Sequence, residues 1–211
     1  MLISVDGEMY DLVPSKIIGI GTNYRAHAVE MGKGLPEEPL MFLKPRSALI
    51  PDGAAIERPQ GYERVDYEGE LGVVIGRRAR RVSRERALEY VLGFTCVNDV
   101  TVRDLQKKDG QWARAKGFDT FCPLGPRIVS GLDPSALRIT TRVDGQVRQD
   151  SPTSDLIFDV PALIAFCSQH MTLEVGDVIS TGTPSGVGNL VPGSVVEIEI
   201  SGIGVLRNTV K

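Results

Sequence analysis

Tyr67–Gly76 reads YEGELGVVIG, a run of small and apolar residues interrupted by two glutamates two positions apart. A β-strand repeats every two residues, so Glu68 and Glu70 share one face, with Val74 further along it, while Tyr67, Gly69, Leu71, Val73 and Ile75 line the other. Two such positions lie roughly 6.5 Å apart along a strand. At about that range two partly shielded negative charges repel by ~2–3 kcal/mol at an effective dielectric near 20. Neither glutamate has a Lys or Arg within its strand to offset this.

Working outward, strand signals outnumber helix signals, and Gly and Pro are scattered through the chain. Ile3–Val5, Asp6-Gly7 and Glu8–Tyr10 predict a hairpin with a primed turn, and Arg138–Val143, Asp144-Gly145 and Gln146–Gln149 a second one. Lys16–Ile20 reads as a buried strand. Arg25–Met31 spans one or two helical turns closed by Gly32, and the Pro-, Glu- and Lys-rich loop that runs on to Pro39 suits a lid. Ser83 predicts a helix N-cap, with Ala87, Leu88, Val91 and Leu92 as the apolar stripe and Gly93 as the stop. Pro161 marks the start of another helix, over which Ala162–Ser168 carries the apolar face. After Asp177 come short strands, with Glu197 and Glu199 alternating against Val196, Ile198 and Ile200. The expectation is one mostly β domain.

Composition narrows the functional class. The chain has 211 residues, a net charge of −3 and an ordinary 42% of hydrophobic residues, so there is no basic footprint for nucleic acid. No apolar run is long enough for a membrane span, and the acidic N-terminus does not read as a signal peptide. Cys96, Cys122 and Cys167 are odd in number and set among apolar neighbours, which fits buried reduced thiols of a cytoplasmic protein.

A second acidic element follows in VNDVTVRDLQKK. Asp99 ends a strand, and from there Asp99, Arg103 and Gln106 fall at i, i+4 and i+7, one face of a helix. If that strand pairs with the one carrying Glu68 and Glu70, three carboxylates converge. Such a set suits a hard divalent cation with positions left open for a chelating substrate. The alternative is an exposed sheet face with Asp99 as a helix cap. His27 and Glu30, at i and i+3 in NYRAHAVEMG, form a pair suited to a general base or an ordinary surface contact. Lys116, in ARAKGFDTFCPLGP, is placed to meet a carboxylate or oxyanion, or is surface charge. STGTPSGVG (Ser180–Gly188) lacks the lysine of a P-loop, but its Thr hydroxyl and backbone N–H groups suit a carboxylate. GIGTNY fails the dinucleotide pattern because Tyr24 stands where the third glycine belongs. His170 reads as a helix C-terminal residue favoured by the dipole.

In this order the segments GTNYRAHAVEMG, PLMFLKPRSALI, DYEGELGVVIG, VNDVTVRDLQ, AKGFDTFCPLGP, SDLIFDVPALIAF and LEVGDVISTGTPSGVG resemble the fumarylacetoacetate hydrolase family, from about Lys16 onward. The resemblance implies a rolled, mixed α+β fold, mostly β and barrel-like, over residues 16–211, preceded by a hairpin segment over 1–15. It implies that Glu68, Glu70 and Asp99 hold Mg²⁺ or Mn²⁺, which would relieve the repulsion within the E-x-E pair. Arg103, Gln106 and Thr183 would contact substrate, and His27, Glu30 and Lys116 would be catalytic. Fumarylacetoacetate hydrolases proper carry a further Asp ahead of the His, and Ile18–Asn23 contains no acid; their large N-terminal domain is also absent. The H-x-x-E pair is similar instead to the small branch of acylpyruvate hydrolases, oxaloacetate decarboxylases and 2-hydroxyhepta-2,4-diene-1,7-dioate isomerases, usually homodimers. The expected substrate is a small 2-oxo acid, with C–C cleavage through a metal-bound enolate. An isomerase of the same branch and a non-enzymatic metal-binding β module are the alternatives.

Overall fold

In the computed structural model, which describes residues 1–30, 32 and 34–211, the Tyr67–Gly76 segment is two strands rather than one. In chain order the first elements are β1 (Leu2–Val5), β2 (Glu8–Asp11), β3 (Ile17–Gly21), α1 (Arg25–Glu30), β4 (Leu40–Lys44), β5 (Leu49–Ile50), β6 (Ala55–Ile56), β7 (Val65–Tyr67) and β8 (Gly69–Ile75). Then follow β9 (Val91–Asn98), β10 (Thr101–Val102), α2 (Arg103–Asp109), α3 (Ala113–Lys116), β11 (Cys122–Val129), β12 (Arg138–Val143) and β13 (Gln146–Pro152). The chain closes with α4 (Val160–His170), β14 (Val178–Ser180), β15 (Gly188–Asn189), β16 (Val195–Ile200) and β17 (Gly204–Val210). The strands form three mixed or antiparallel sheets, none of which closes into a barrel. The largest runs β2-β1-β11-β9-β8-β14-β3-β4, with β5 beside β11, and the others run β10-β7-β15 and β13-β12-β16-β17-β6.

The division at Glu68 has a local cause. Glu68 N–H donates to the Asn98 side chain at 3.0 Å, and its carbonyl accepts from Asp99 N–H at 2.9 Å. The chain therefore leaves the small sheet with β7 and enters the large one with β8 at the glutamate itself. In β8 the expected alternation holds: Leu71, Val73 and Ile75 join one apolar core and Val74 the other. Both faces are buried, so Glu70 has no solvent-exposed side to occupy. Pairing of Glu70 with Val97 and Gly69 with Asn98 brings β9 and the following Asp99 beside the glutamates.

Both hairpins form as expected, with Asp6 and Asp144 at φ of 48° and 51° in their primed turns. The hairpin of β1 and β2 joins the large sheet by parallel pairing with β11. β16 alternates as its sequence indicates, with Val196, Ile198 and Ile200 inward. Asp159 caps α4 by accepting from Ala162 N–H at 2.9 Å, just ahead of Pro161. His170 ends α4, its Nδ1 2.9 Å from the Phe166 carbonyl.

Ser83 corrects the reading. Arg84–Tyr90 is a 3-10 helix, and Ser83 makes no side-chain cap to it. Of the expected stripe only Ala87 is buried; Leu88 is 46% exposed, while Val91 and Leu92 already belong to β9. Gly93 is not a helix stop: a Cβ there would lie 2.7 Å from the Val129 carbonyl, so it permits close approach of β9 to β11. α1 ends at Glu30, and Met31, expected in its last turn, lies outside the described residues. The three cysteines are free and buried, and burial pushes each thiol up to about 12. Among the described residues no helix is long and apolar enough to cross a membrane.

Candidate active site

One oxygen from each of Glu68, Glu70 and Asp99 lies within 4.8 Å of the other two, and all three residues are buried. Glu70 arrives from β8, Glu68 from the kink before it and Asp99 from the end of β9. Asp99 neither begins nor caps a helix: β10 intervenes, α2 starts at Arg103, and Val102 occupies the cap position. The expected i, i+4, i+7 face is thus absent. Arg103 and Gln106 are neighbours one turn apart on α2, with Arg103 Nη1 donating to Gln106 Oε1 at 2.8 Å.

Three buried or half-buried cations reach into this acidic group. Lys116, at the end of α3, donates to Glu68 Oε2 at 2.8 Å, to Thr101 Oγ1 at 2.9 Å and to Asp99 Oδ2. Lys44, on β4, donates to Asp99 Oδ1 at 2.5 Å. Arg103 donates through Nη2 to Glu68 Oε1 and through Nε to Asp66 Oδ2 at 2.7 Å. Asp66 is itself held from the other side by Arg64 Nε at 2.8 Å. The Glu68–Glu70 repulsion is therefore answered in part by protein cations from outside the strand.

The two glutamates nonetheless sit in opposite environments. Burial raises the Glu68 carboxyl, but Arg103 and Lys116 outweigh it and hold the group below the usual range. Burial also raises Glu70, and there the Asp99 and Glu68 charges add to it, so Glu70 stands well above its ordinary value. Its Oε2 accepts only from neutral donors, Ser180 Oγ at 2.5 Å and Gly182 N–H at 2.8 Å. A second positive charge beside Glu70 is what this arrangement lacks. Three hard oxygen donors, one with its charge uncompensated, fit a divalent cation of the Mg²⁺ or Mn²⁺ kind. Lys116 is raised too: burial opposes its charge, and Asp99 and Glu68 override that.

The imidazole comes from α1. His27 is 6% exposed, and its Nδ1 lies 2.9 Å from Glu30 Oε2. A carboxylate can only accept, so Nδ1 carries a proton, and the tautomer this selects for the neutral ring has its lone pair on Nε2. Glu30 also accepts from Gly186 N–H at 3.2 Å. The turn after β14 thus does hold carboxylates, as its sequence suggests, but they are the protein's own Glu70 and Glu30. Thr183 lines the site, yet its hydroxyl is already engaged, donating to the Gly69 carbonyl at 2.9 Å and accepting from Gln149 Nε2 at 2.7 Å.

These groups open into one cleft of about 440 Å³ lined by His27, Glu68, Glu70, Arg103, Gln106, Lys116 and Thr183, with Ile20, Trp112 and Val187 as apolar walls. A larger cavity of about 590 Å³ beside the start of α4 is lined by Arg84 and Asp159, an ion pair, and lacks the carboxylate cluster. Sequence reading missed Lys44, Asp66 and the Ser180 hydroxyl. Two of these left a trace: Asp66 continues the every-second-residue acids of Glu68 and Glu70, and Lys44 is a lone cation in the apolar run LMFLK.

Comparison with known proteins places the chain among relatives. The family model described as fumarylacetoacetate (FAA) hydrolase C-terminal matches residues 16–211. The chain is 46% identical over 211 residues to the oxaloacetate tautomerase YisK of Bacillus subtilis strain 168, covering 93% of this chain and 70% of that protein. It is 43% identical over 195 residues to a mitochondrial oxaloacetate decarboxylase of Dictyostelium discoideum, covering 89% of each. Among solved structures, a fumarylpyruvate hydrolase from Pseudomonas aeruginosa, in complex with Mn²⁺ and pyruvate, superposes with a TM-score of 0.92 at 32% identity, covering 100% of this chain and 95% of that one.

Proposed function

The chain belongs to the fumarylacetoacetate hydrolase C-terminal family, and on that premise we propose that it is a Mg²⁺- or Mn²⁺-dependent enzyme that cleaves a C–C bond in small 2-oxo acids. The observation that carries this reading is one cleft lined by Glu68 and Glu70, which cluster with Asp99, and by the buried His27, whose Nδ1 is bonded to Glu30. Glu68, Glu70 and Asp99 would hold the dication. When bound it supplies a Lewis acid that polarises the keto group of a chelating 2-oxo acid.

The chain's own residues supply the rest. Arg103 and Gln106, fixed to each other and to Asp66, present N–H donors toward a substrate carboxylate. His27, with Nδ1 committed to Glu30, offers Nε2 to take a proton from a water that attacks the distal carbonyl of an acylpyruvate. Lys116 and Gln106 stabilise the oxyanion so formed. Ile20, Trp112 and Val187 give the distal part of the substrate an apolar wall. Oxaloacetate needs no attacking water, because loss of CO₂ leaves the same enol of pyruvate.

The test is pyruvate release from acetylpyruvate and from oxaloacetate, with and without EDTA. Metal-dependent release from either supports the reading, and no release from both, with metal added, overturns it. A second reading, proton transfer at C3 without cleavage, draws on the relative named as an oxaloacetate tautomerase. A panel of 2-oxo and 2-hydroxydienoic acids followed in the ultraviolet separates isomerisation from cleavage.

A further inference from the structure

The His27–Glu30 pair stands on a short helix, described over Arg25–Glu30, too short to hold a side chain in place by its own stability. The bond that ties the pair to the sheets is Gly186 N–H to Glu30. Gly186 is in turn gripped by its carbonyl, which accepts from the Tyr67 hydroxyl at 2.8 Å. Tyr67 ends β7, immediately before the kink at Glu68, and pairs in register with Gly188 of β15. The turn is also held from its other end, where Gln149 donates to Thr183 Oγ1 at 2.7 Å and to the Pro184 carbonyl at 2.8 Å.

Two glycines show how closely this clasp is fitted. Gly186 has φ of +96°, and a Cβ there would lie 2.0 Å from the Arg148 carbonyl. A Cβ on Gly188 would meet the Tyr67 hydroxyl oxygen at 2.9 Å. The turn can therefore take this path only with backbone exposed at both places, and the path aims the Gly186 N–H at Glu30.

We propose that Tyr67, acting through Gly186, is a positioning residue for the imidazole: it fixes the turn whose N–H orients Glu30, and so holds His27 in the tautomer with Nε2 free. The Tyr67 hydroxyl bonds the Gly186 carbonyl, and the Gly186 N–H bonds Glu30, so its effect on the imidazole passes through that one backbone hinge. The acidic strand that begins the cation site would then also set the orientation of the base on the opposite side of the cleft. The catalytic consequence rests on the role of His27 proposed above; the positioning itself does not.

His27 and His170 are the chain's two histidines, so their imidazole ¹H–¹⁵N resonances are separable in one spectrum, with His170 as an internal control. Tyr67→Phe removes the hydroxyl and keeps the ring. In the wild type the His27 spectrum should show Nδ1 protonated and slow to exchange. In Tyr67→Phe that exchange should quicken about tenfold, the scale of one lost hydrogen bond, with a mixed tautomer signal and His170 unmoved. Glu30→Gln gives the spectrum of a ring without its carboxylate acceptor and sets the scale. With a turned-over 2-oxo acid, kcat should fall about tenfold while KM stays within about twofold. A Tyr67→Phe protein that melts like the wild type and keeps the wild-type His27 spectrum overturns the proposal. A changed spectrum with unchanged turnover upholds the positioning and removes His27 as the base.

Discussion

Glu68, Glu70 and Asp99 stand on or beside strands buried on both faces and are gripped by at least two donors each, whereas His27 and Glu30 stand on a short helix, where Glu30 is held from the sheet side by the Gly186 N–H. The floor of the cleft is preorganised by the folding of the sheets themselves. The rim depends on a turn. A preorganised floor suits a group that must bind one cation in one geometry, and a lightly held rim suits a group that must exchange protons with successive substrates. Damage to the two regions should therefore separate: the floor controls stability and metal affinity, and the rim controls rate.

The largest separation is expected at His27. His27→Ala should lower acetylpyruvate cleavage by about 10²–10⁴-fold, the usual scale for a missing general base, while Mn²⁺ affinity by calorimetry stays within about twofold. Oxaloacetate decarboxylation should survive in part, and equal loss of both reactions would remove the water-activating role. Next comes Lys44, whose ammonium is buried against Asp99. Lys44→Met leaves the buried Asp99 with Lys116 as its remaining cation, so the cost should fall below the roughly 3–5 kcal/mol of a fully unpaired buried charge. Chemical denaturation should find that loss in the metal-free protein, with part of it regained on adding Mn²⁺. Glu70→Gln should weaken Mn²⁺ binding by about 100-fold or more, since even indirect supports of a metal site are worth 10–100-fold. The same variant should leave the metal-free melting temperature level or higher, because the amide needs no counter-charge. A fall in metal-free stability would place Glu70 with Glu68 rather than opposite it.

The smallest effect is the pH dependence, and its sign follows from Glu70. Its folded pKa is raised above the ordinary 4.5, so the stability it contributes is present below that value and lost as pH climbs through the folded one. Glu68 runs the other way: its folded pKa is depressed, and its contribution is lost only as the solution is acidified. Between about pH 5 and 8 the Glu70 effect should govern. A dication takes the place of the Glu70 proton, so the rise in Tm on adding Mn²⁺ should grow across that range. A rise that is constant or shrinks with pH would mean the cation does not compensate Glu70.

Much of the floor was legible in the chain. The E-x-E spacing needs only the period of a strand, and the two primed-turn hairpins need only Asp-Gly between alternating runs. What one-dimensional periodicity does not contain is the path between elements. The same period that aligned Glu68 with Glu70 concealed the kink at Glu68, because the hydrogen bonds that cause it go to the Asn98 side chain and come from the Asp99 N–H. Arg103 and Gln106 were placed correctly as neighbours, but Asp99 joins them through Lys116 and Glu68 and not along a helix. Ser83 carried a sound capping signal that a following strand overrode. The anchoring of Glu30 by Gly186 joins positions far apart in sequence, and no local pattern marks it.

The central claim is that Glu68, Glu70 and Asp99 grip a single dication despite the lysines already among them. Crystals grown with Mn²⁺ and measured at a wavelength sensitive to it test this directly. One anomalous peak per chain is expected within bonding distance of an oxygen from each of the three residues. A map with no peak among them, and Lys116 and Arg103 still closed onto Glu68, would contradict it.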